Sequence, residues 1–151
     1  MNNTFRIYPI GIQSFEDLRN NNNVYVDKTE LIYRLANTNK VYFLSRPRRF
    51  GKSLLVSTLK NYFLGRKELF KGLAIDCLER KDLFQGLAME RLEKEWNVYP
   101  VLHIDFSMTK YTTMADLNER LNLQLCEWER IYGSAPEEEG YAARFSGIIK
   151  R

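Results

Sequence analysis

The chain has 151 residues, of which 44% are hydrophobic and 28% charged, and this composition is typical of one soluble globular domain. Its net charge of +4 arises from 23 basic and 19 acidic residues, so the total charge alone does not indicate a nucleic-acid partner. The two cysteines, Cys77 and Cys126, have no zinc-site spacing and are too few for a disulfide framework. No secretory signal or membrane-spanning stretch is evident, and we therefore expect a cytoplasmic protein that does not bind membranes.

The first predicted elements are a short helix, a strand and a second helix. Ser14 is a suitable N-cap for the short helix, with Asp17 three residues later. The apolar segment 24–29 predicts a strand that ends in a turn. Thr29 is then expected to cap the second helix.

A second strand and a third helix follow on either side of a cluster of arginines. Residues 40–45 form a compact apolar run that is typical of a buried parallel strand. Residues 53–65 have the apolar spacing of a helix, and Gly65 favours the end of that helix.

A 14-residue segment then occurs twice in tandem. Residues 67–80 (KELFKGLAIDCLER) and 81–94 (KDLFQGLAMERLEK) are identical at eight of 14 positions. One repeated pair is too short for a solenoid, which needs at least about three units. We interpret 67–94 as a tandem duplication inserted at the surface of one domain.

The second half of the chain contains one more predicted strand and two helices. Residues 99–107 are mostly apolar and predict a core strand, and 114–132 have the periodicity of a long amphipathic helix. Another helix is expected to begin near Tyr141. Strands that alternate with helices predict an α/β fold with a mostly parallel sheet flanked by helices.

The segment between the 40–45 strand and the next helix resembles a phosphate-binding loop. The pattern G-x-x-x-x-G-K-[ST] aligns with residues 46–53, where Arg46 replaces the first glycine and the end GKS is intact. Gly51 would let the backbone approach a phosphate, Lys52 would reach the β- and γ-phosphates, and Ser53 would offer a hydroxyl to Mg²⁺. The alternative is a basic loop that contacts nucleic-acid phosphates, but a GKS sequence between a strand and a helix favours the P-loop.

Several motifs are similar to those of the AAA-ATPase-like proteins found in gut anaerobes. The motifs are RPRRFGKS, YVDKT, ELFKGLAI, YPVLHIDFS and YAARFSGIIKR, and the resemblance covers nearly the whole chain. In that family the Walker A loop is itself written with an arginine in place of the first glycine. The resemblance implies a P-loop NTPase-like domain that binds ATP and Mg²⁺. The nucleotide-contacting residues that it implies are Arg48, Arg49, Phe50, Gly51, Lys52, Ser53 and Leu54, with Ser53 on Mg²⁺.

The chain departs from the family pattern in two respects. Relatives resemble this chain with a single copy of the LFKGLAI segment. In the family, the helix near Tyr141 leads to a further strand with the Walker B Asp and Glu, and relatives often carry a C-terminal nuclease-like domain of the PD-(D/E)xK type. We therefore interpret residues 1–151 as the N-terminal part of the domain, with an incomplete sheet and weak or no ATP hydrolysis.

Three other positions have both a functional and a structural interpretation. Asp105 ends a predicted strand and could contact Mg²⁺, but Phe106 follows it, so a role in a turn is favoured. His103 alternates with apolar residues, which favours a packed histidine. Asp27 and Lys28 could lie near the base or ribose of a nucleotide, but a turn that starts at Asp27 and a helix cap at Thr29 are favoured.

The sequence therefore leaves three hypotheses. The first is ATP–Mg²⁺ binding through the P-loop, the second is a basic module that binds nucleic-acid phosphates, and the third is a truncated relic without function. An incomplete sheet would expose strand edges, which predicts self-association or a partner that supplies the missing strands.

Overall fold

The computed structural model describes residues 7–71, 95–107 and 110–151, which form two compact units. The first unit spans Met1–Val101 and the second spans Leu102–Arg151. The described residues contain a 3₁₀ turn at Lys67–Leu69 and the α-helices α1 (Phe15–Asn20), α2 (Thr29–Thr38), α3 (Lys52–Phe63), α4 (Met114–Tyr132) and α5 (Gly140–Lys150). Within this part of the chain, no helix has the length and apolar character needed to cross a bilayer.

The predicted parallel sheet is wrong for the part of the chain that the structure describes. Residues 24–28, 40–45 and 99–107 contain no strand, and the described elements are helices and turns. The extended segments make isolated hydrogen bonds instead of a ladder, such as Val24 N to the Ile7 carbonyl at 3.0 Å. A strand exists only when a neighbouring segment pairs with its backbone, and an apolar run does not specify that neighbour.

The segment expected as a buried strand before the arginine cluster is largely exposed. Val41 and Phe43 are 86% and 94% exposed, whereas Tyr42 and Leu44 are about half as accessible. The Tyr42 hydroxyl donates to the Leu35 carbonyl at 2.6 Å and accepts from Asn39 N at 2.8 Å. These bonds fix the segment against the end of α2, and the side chains alternate between the two sides as in an extended chain.

Local sequence signals account for the ends of α1 and α3. The Ser14 hydroxyl accepts from Asp17 N at 3.2 Å, as expected for an N-cap. At the end of α3, Gly65 N donates to the Tyr62 carbonyl at 3.0 Å and Arg66 N to the Asn61 carbonyl at 3.1 Å. This pair of bonds is a Schellman motif, and Gly65 takes the left-handed conformation (φ +67°) that the motif requires.

An aromatic core holds the first unit together. Phe15 and Phe70 are fully buried, with ring centroids 4.9 Å apart, and Trp96 lies 5.1 Å from Phe70. Ile32 of α2 and Leu69 of the 3₁₀ turn complete the buried cluster. Of the duplicated segment 67–94, only 67–71 lie within the described residues, and there the Leu-Phe pair of the first copy supplies two core side chains.

The second unit is a pair of packed helices. Thr113 and Asp116 form a complete capping box at the start of α4, whose bounds agree with the sequence prediction. Leu125 and Trp128 of α4 bury against Ile148 of α5.

An arginine fixes the two helices of this unit to each other. Arg144 of α5 donates to both carboxylate oxygens of Glu129, at 2.6 and 2.7 Å, and to Asn122 Oδ1 at 2.6 Å. The Glu129 carboxylate raises the pKa of Arg144, and Arg144 lowers the pKa of Glu129. The bidentate geometry of the Arg144–Glu129 pair sets the register of one helix along the other.

Candidate functional site

The loop before α3 has two residues in the left-handed region of backbone conformation. Arg49 and Gly51 both have positive φ, at +68° and +73°. Left-handed residues are costly for side chains other than glycine, so Arg49 holds a conformation that most loops avoid. Backbone turns of this kind make concave sites for anions, since successive N–H groups converge.

The start of α3 has no side chain that would satisfy its backbone donors. Gly51 is the N-cap and provides no capping group, and the first turn contains no acidic residue. The first N–H groups of a helix have no partner within the helix, and the helix dipole places positive potential there. This end of α3 therefore attracts an anion.

The side chain of Lys52 is hydrogen-bonded to the loop. Its ammonium group donates to the carbonyl of Arg46 and, at 3.1 Å, to that of Pro47. The lysine side chain thus bends back over the loop from the first residue of the helix and adds a positive charge to the site.

Contacts from the rest of the first unit fix the position of α3. Phe15 N donates to Ser57 Oγ at 2.9 Å, joining α1 to α3. Arg19 Nε donates to the Leu69 carbonyl at 2.6 Å, joining α1 to the 3₁₀ turn. The N-terminus of α3 is therefore held by a core that does not depend on the arginine loop.

A cavity of about 510 Å³ lies beside the loop, within the first unit. Arg46, Phe50 and Gly51 line it from the loop. The first half of α3 contributes Leu54 and Thr58. The remaining walls come from the start of the described chain, from α1, from the segment 24–28, from α2 and from Leu44, and they are mainly apolar.

The polar groups in the cavity wall are few. Burial raises the pKa of Tyr25 to about 12, and the negative charge of Asp27 adds to this effect. The nearby Thr58 hydroxyl acts in the opposite direction on the pKa of Tyr25, and this hydroxyl donates to the Leu54 carbonyl at 2.8 Å. Tyr25 and Thr58 both line the cavity, so the segment 24–28 and α3 form adjoining walls.

Comparison with known proteins identifies the family. The family model described as Predicted AAA-ATPase matches residues 9–82 and 76–151. The chain belongs to the predicted AAA-ATPase family. The two matched ranges overlap at residues 76–82, which lie inside the duplicated segment 67–94.

One curated relative of this AAA-ATPase family member comes from Azotobacter chroococcum mcd 1 and is described as an uncharacterized protein in the vnfD 5′ region. It is 36% identical over 145 residues, which cover 95% of this chain and 25% of the relative. The chain thus spans about a quarter of that relative's length. No solved structure matches the chain.

The structure brings the residues predicted from the family's Walker A motif together at one place. Gly51, Lys52 and Ser53 form the turn and the first residues of α3. Phe50 and Leu54 line the adjoining cavity. The roles of these residues toward a nucleotide remain predictions.

The two adjacent arginines of the motif do not line the cavity. Arg48 and Arg49 are both exposed. Arg46, three residues before Arg49, does line it. Sequence reasoning missed Arg46 because it treated this position only as a replacement for a glycine.

The aspartate of the YVDKT signature bonds to a residue two positions later. Asp27 Oδ1 accepts from Thr29 N at 2.9 Å and from the Thr29 hydroxyl at 2.7 Å. Thr29 is the first residue of α2, and Lys28 is the N-cap. The expectation that Thr29 caps this helix was therefore wrong. Lys28, by contrast, lines the cavity.

Asp105 lies in the second unit and forms a turn. Its Oδ1 accepts from Ser107 N at 2.7 Å and from the Ser107 hydroxyl at 2.6 Å. These bonds to Ser107 lower the pKa of Asp105, so the carboxylate is ionised. No group of three metal-ligating side chains occurs among the described residues, and a metal role for Asp105 remains untested.

The lone histidine is not packed in a core as the sequence suggested. His103 is exposed in the extended segment before Asp105. The expectation failed because it depended on residues 99–107 forming a buried strand.

Apolar residues on α2 form the part of the site that sequence reasoning did not find. Leu31, Ile32 and Leu35 line the cavity from this helix. Their spacing in the sequence is that of one helical face. No sequence signal indicated that this face of α2 lies beside the arginine loop.

Proposed function

We propose that the chain binds ATP–Mg²⁺, with the triphosphate at the loop 46–51 and the N-terminus of α3. One observation carries the proposal: an uncapped helix start and a left-handed loop converge beside a cavity, with the Lys52 ammonium at the same place. The membership of the predicted AAA-ATPase family is compatible with nucleotide binding in general terms.

The electrostatics of the site support an anionic ligand. Lys28 and Arg46 line the cavity, whereas no carboxylate does, all of its lining residues being in the described part of the chain. Backbone N–H groups at the start of α3 would bind phosphate oxygens, and Lys52 would neutralise part of their charge.

Ser53 is the residue that would hold Mg²⁺. It is exposed at the second position of α3, next to the loop. The ion, when bound, neutralises charge on the phosphate oxygens. Since no carboxylate lines the cavity, we expect this chain to bind nucleotide without efficient hydrolysis.

Titration of the chain with ATP–Mg²⁺ by isothermal calorimetry tests the proposal. Lys52→Ala should weaken binding by about tenfold or more, because a charged partner of the phosphates is lost. Lys60→Ala is the matched control, since Lys60 is an exposed lysine in the last turn of the same helix. Equal affinities for wild type and Lys52→Ala would refute the proposal.

A specific observation favours nucleic-acid phosphates as a second candidate ligand. Arg48 and Arg49 are exposed and lie outside the cavity wall. If they bind nucleic acid, the Arg48→Ala/Arg49→Ala double variant should lose DNA affinity while retaining ATP affinity. The affinity for DNA should also fall steeply between low and moderate salt.

A further inference from the structure

We propose that the two copies of the duplicated segment compete for one pocket in the core of the first unit. In the described structure this pocket holds residues 66–71, and in a second register of the chain it would hold residues 80–85 instead. The second copy lies outside the described residues, so the inference is argued from the contacts of the first copy and from the sequence. It does not depend on nucleotide binding.

The walls of this repeat pocket lie outside the duplicated segment. They are formed by Phe15, Glu16, Arg19, Tyr62 and Trp96. The first copy fills the pocket with Leu69 and Phe70, which are 6% and 0% exposed. The Phe70 ring centroid lies 4.9 Å from that of Phe15, 5.1 Å from that of Trp96 and 6.5 Å from that of Tyr62. Another segment with a leucine and a phenylalanine in the same order would meet the same apolar surfaces.

The second copy carries such a pair 14 residues later. Residues 66–74 (RKELFKGLA) and 80–88 (RKDLFQGLA) are identical at seven of nine positions. Leu83 and Phe84 stand at the positions of the buried pair. The apolar part of the repeat pocket therefore does not distinguish the two copies.

The polar contacts of Arg19 do not distinguish them either. Arg19 donates to the carbonyl of Leu69 at 2.6 Å and to that of Lys71. Because these acceptors belong to the backbone, Gln85 at the position matching Lys71 offers the same carbonyl. The side chains of Glu68 and Lys71, at the two positions where the copies differ in this stretch, are exposed.

An arginine also precedes each copy. Arg66 Nη1 donates to Glu16 Oε1 at 2.7 Å, and Arg80 occupies the matching position. One bond, in contrast, depends on the first copy following α3 directly, since Lys67 N donates to the Gly65 carbonyl at 2.8 Å. This bond favours the first register, and we expect the second register to be the less populated one.

The chain is long enough for the exchange. Twelve positions separate Phe84 from Trp96, and they would span about 40 Å when extended. The ring contact that the second register must reproduce needs a centroid distance of only 5.1 Å, as found for Phe70. Moving 14 residues from one side of the pocket to the other changes the cost of loop closure little, because this cost rises slowly with loop length.

Thermal unfolding of the 151-residue chain and three variants tests the inference. Phe84→Ala should leave the melting temperature within about 2 °C of wild type, because Phe70 still fills the pocket. The Phe70→Ala/Phe84→Ala double variant should melt about 10 °C lower or more, because neither copy then supplies a phenylalanine. Phe70→Ala alone should lose less than half as much as the double variant, since Phe84 replaces the missing ring.

The matched control combines Phe70→Ala with Phe43→Ala. Phe43 is 94% exposed and lies outside the pocket, so this variant should melt with Phe70→Ala and not with the double variant of the two copies. If Phe70→Ala alone is unfolded, or is as unstable as Phe70→Ala/Phe84→Ala, the second copy does not replace the first and the proposal is overturned.

Fluorine NMR of protein labelled with 5-fluorotryptophan gives an independent measurement at the pocket wall. Trp96 contacts Phe70, and Trp128 of the second unit serves as the internal reference. The Trp96 resonance should stay near its wild-type position in Phe70→Ala, because Phe84 restores the ring contact, and it should move in the double variant. A Trp96 resonance at the same position in both variants would refute the exchange.

Discussion

At the residue scale, the backbone of the arginine loop has two left-handed residues within three positions. Arg49 takes a positive φ despite its side chain, and Gly51 takes one at little cost. Such strain persists only where surrounding contacts maintain it, and it is common at ligand sites. The contacts here include the bonds of the Lys52 ammonium to loop carbonyls.

Substitution of Gly51 by alanine should therefore cost about 1 kcal/mol of folding stability, because only the backbone conformation opposes it. A Cβ at this position would meet no atom within 4 Å. Gly51→Asn should cost less, since asparagine tolerates the left-handed region. Thermal unfolding of the ligand-free variants measures both.

Gly65→Ala provides the contrast for this prediction. Its Cβ would come within 2.9 Å of Val98 Cγ2, and its φ is also positive. We expect a larger loss of stability than for Gly51→Ala. The reverse order in ligand-free protein would contradict the conformation described for the loop.

At the element scale, the start of α4 depends on an ionised carboxylate. Asp116 Oδ2 accepts from Thr112 N, the Thr112 hydroxyl and Thr113 N at 2.8–2.9 Å. These bonds, the Thr112 hydroxyl first, lower the pKa of Asp116 to about 2. Because the folded pKa is below the unfolded value of about 3.9, its contribution is present above pH 4 and is lost as the pH falls toward 2.

Circular dichroism of the helices between pH 5 and pH 2 would detect this loss. Asp116→Asn should remove that part of the pH dependence, since its side chain does not titrate. Glu127→Gln is a suitable control, because Glu127 lies within α4, away from the cap, and accepts only from Gln124 among the described side-chain bonds. Identical profiles for wild type and Asp116→Asn would show that the capping box does not depend on ionisation.

The sequence predicted the helices well because their signals are local. Ser14, Thr113 and Gly65 mark helix ends by bonds to residues a few positions away. The sheet was predicted wrongly because pairing between segments is not local. Apolar runs such as 40–45 and 99–107 specify neither a partner nor burial.

The sequence predicted only the part of the site that depends on local signals. The GKS sequence and the following helix identified the loop and its lysine. The cavity depends on the approach of α2 and of the segment 24–28 to α3, which is tertiary structure. Arg46 and Leu35 therefore had no recognisable sequence signal as lining residues.

At the scale of the whole molecule, the described residues on either side of 72–94 lie close together. Phe70 and Trp96 are in ring contact, and Tyr99 N donates to the Phe63 carbonyl at 2.7 Å. Both ends of the intervening chain are thus fixed near the end of α3. The conformational free energy of joining two fixed points by a flexible chain changes by only about 0.6 kcal/mol for each doubling of the chain length.

Removal of one copy should therefore leave the melting temperature nearly unchanged. Deletion of 81–94 keeps Leu69 and Phe70, and deletion of 67–80 replaces them with the equivalent Leu83 and Phe84. Differential scanning fluorimetry of both single-copy chains measures the effect. Unfolding of only one of them would show that the two copies are not interchangeable in the core.

The exposed segment 41–44 also matters at this scale. Val41 and Phe43 are almost fully accessible in the described structure. Exposed apolar side chains on an extended segment favour association with other chains. Self-association, or a partner that covers this segment, remains a prediction for the protein.

The bonds of Lys52 have a thermodynamic consequence for any anion that reaches the loop. The ammonium group already donates to the carbonyls of Arg46 and Pro47. A phosphate that binds Lys52 would therefore replace existing hydrogen-bond acceptors. The net gain from such an exchange is small compared with the strength of the new bonds themselves. The heat released at this lysine should accordingly be modest, while its positive charge still contributes to the affinity together with the potential of the helix start.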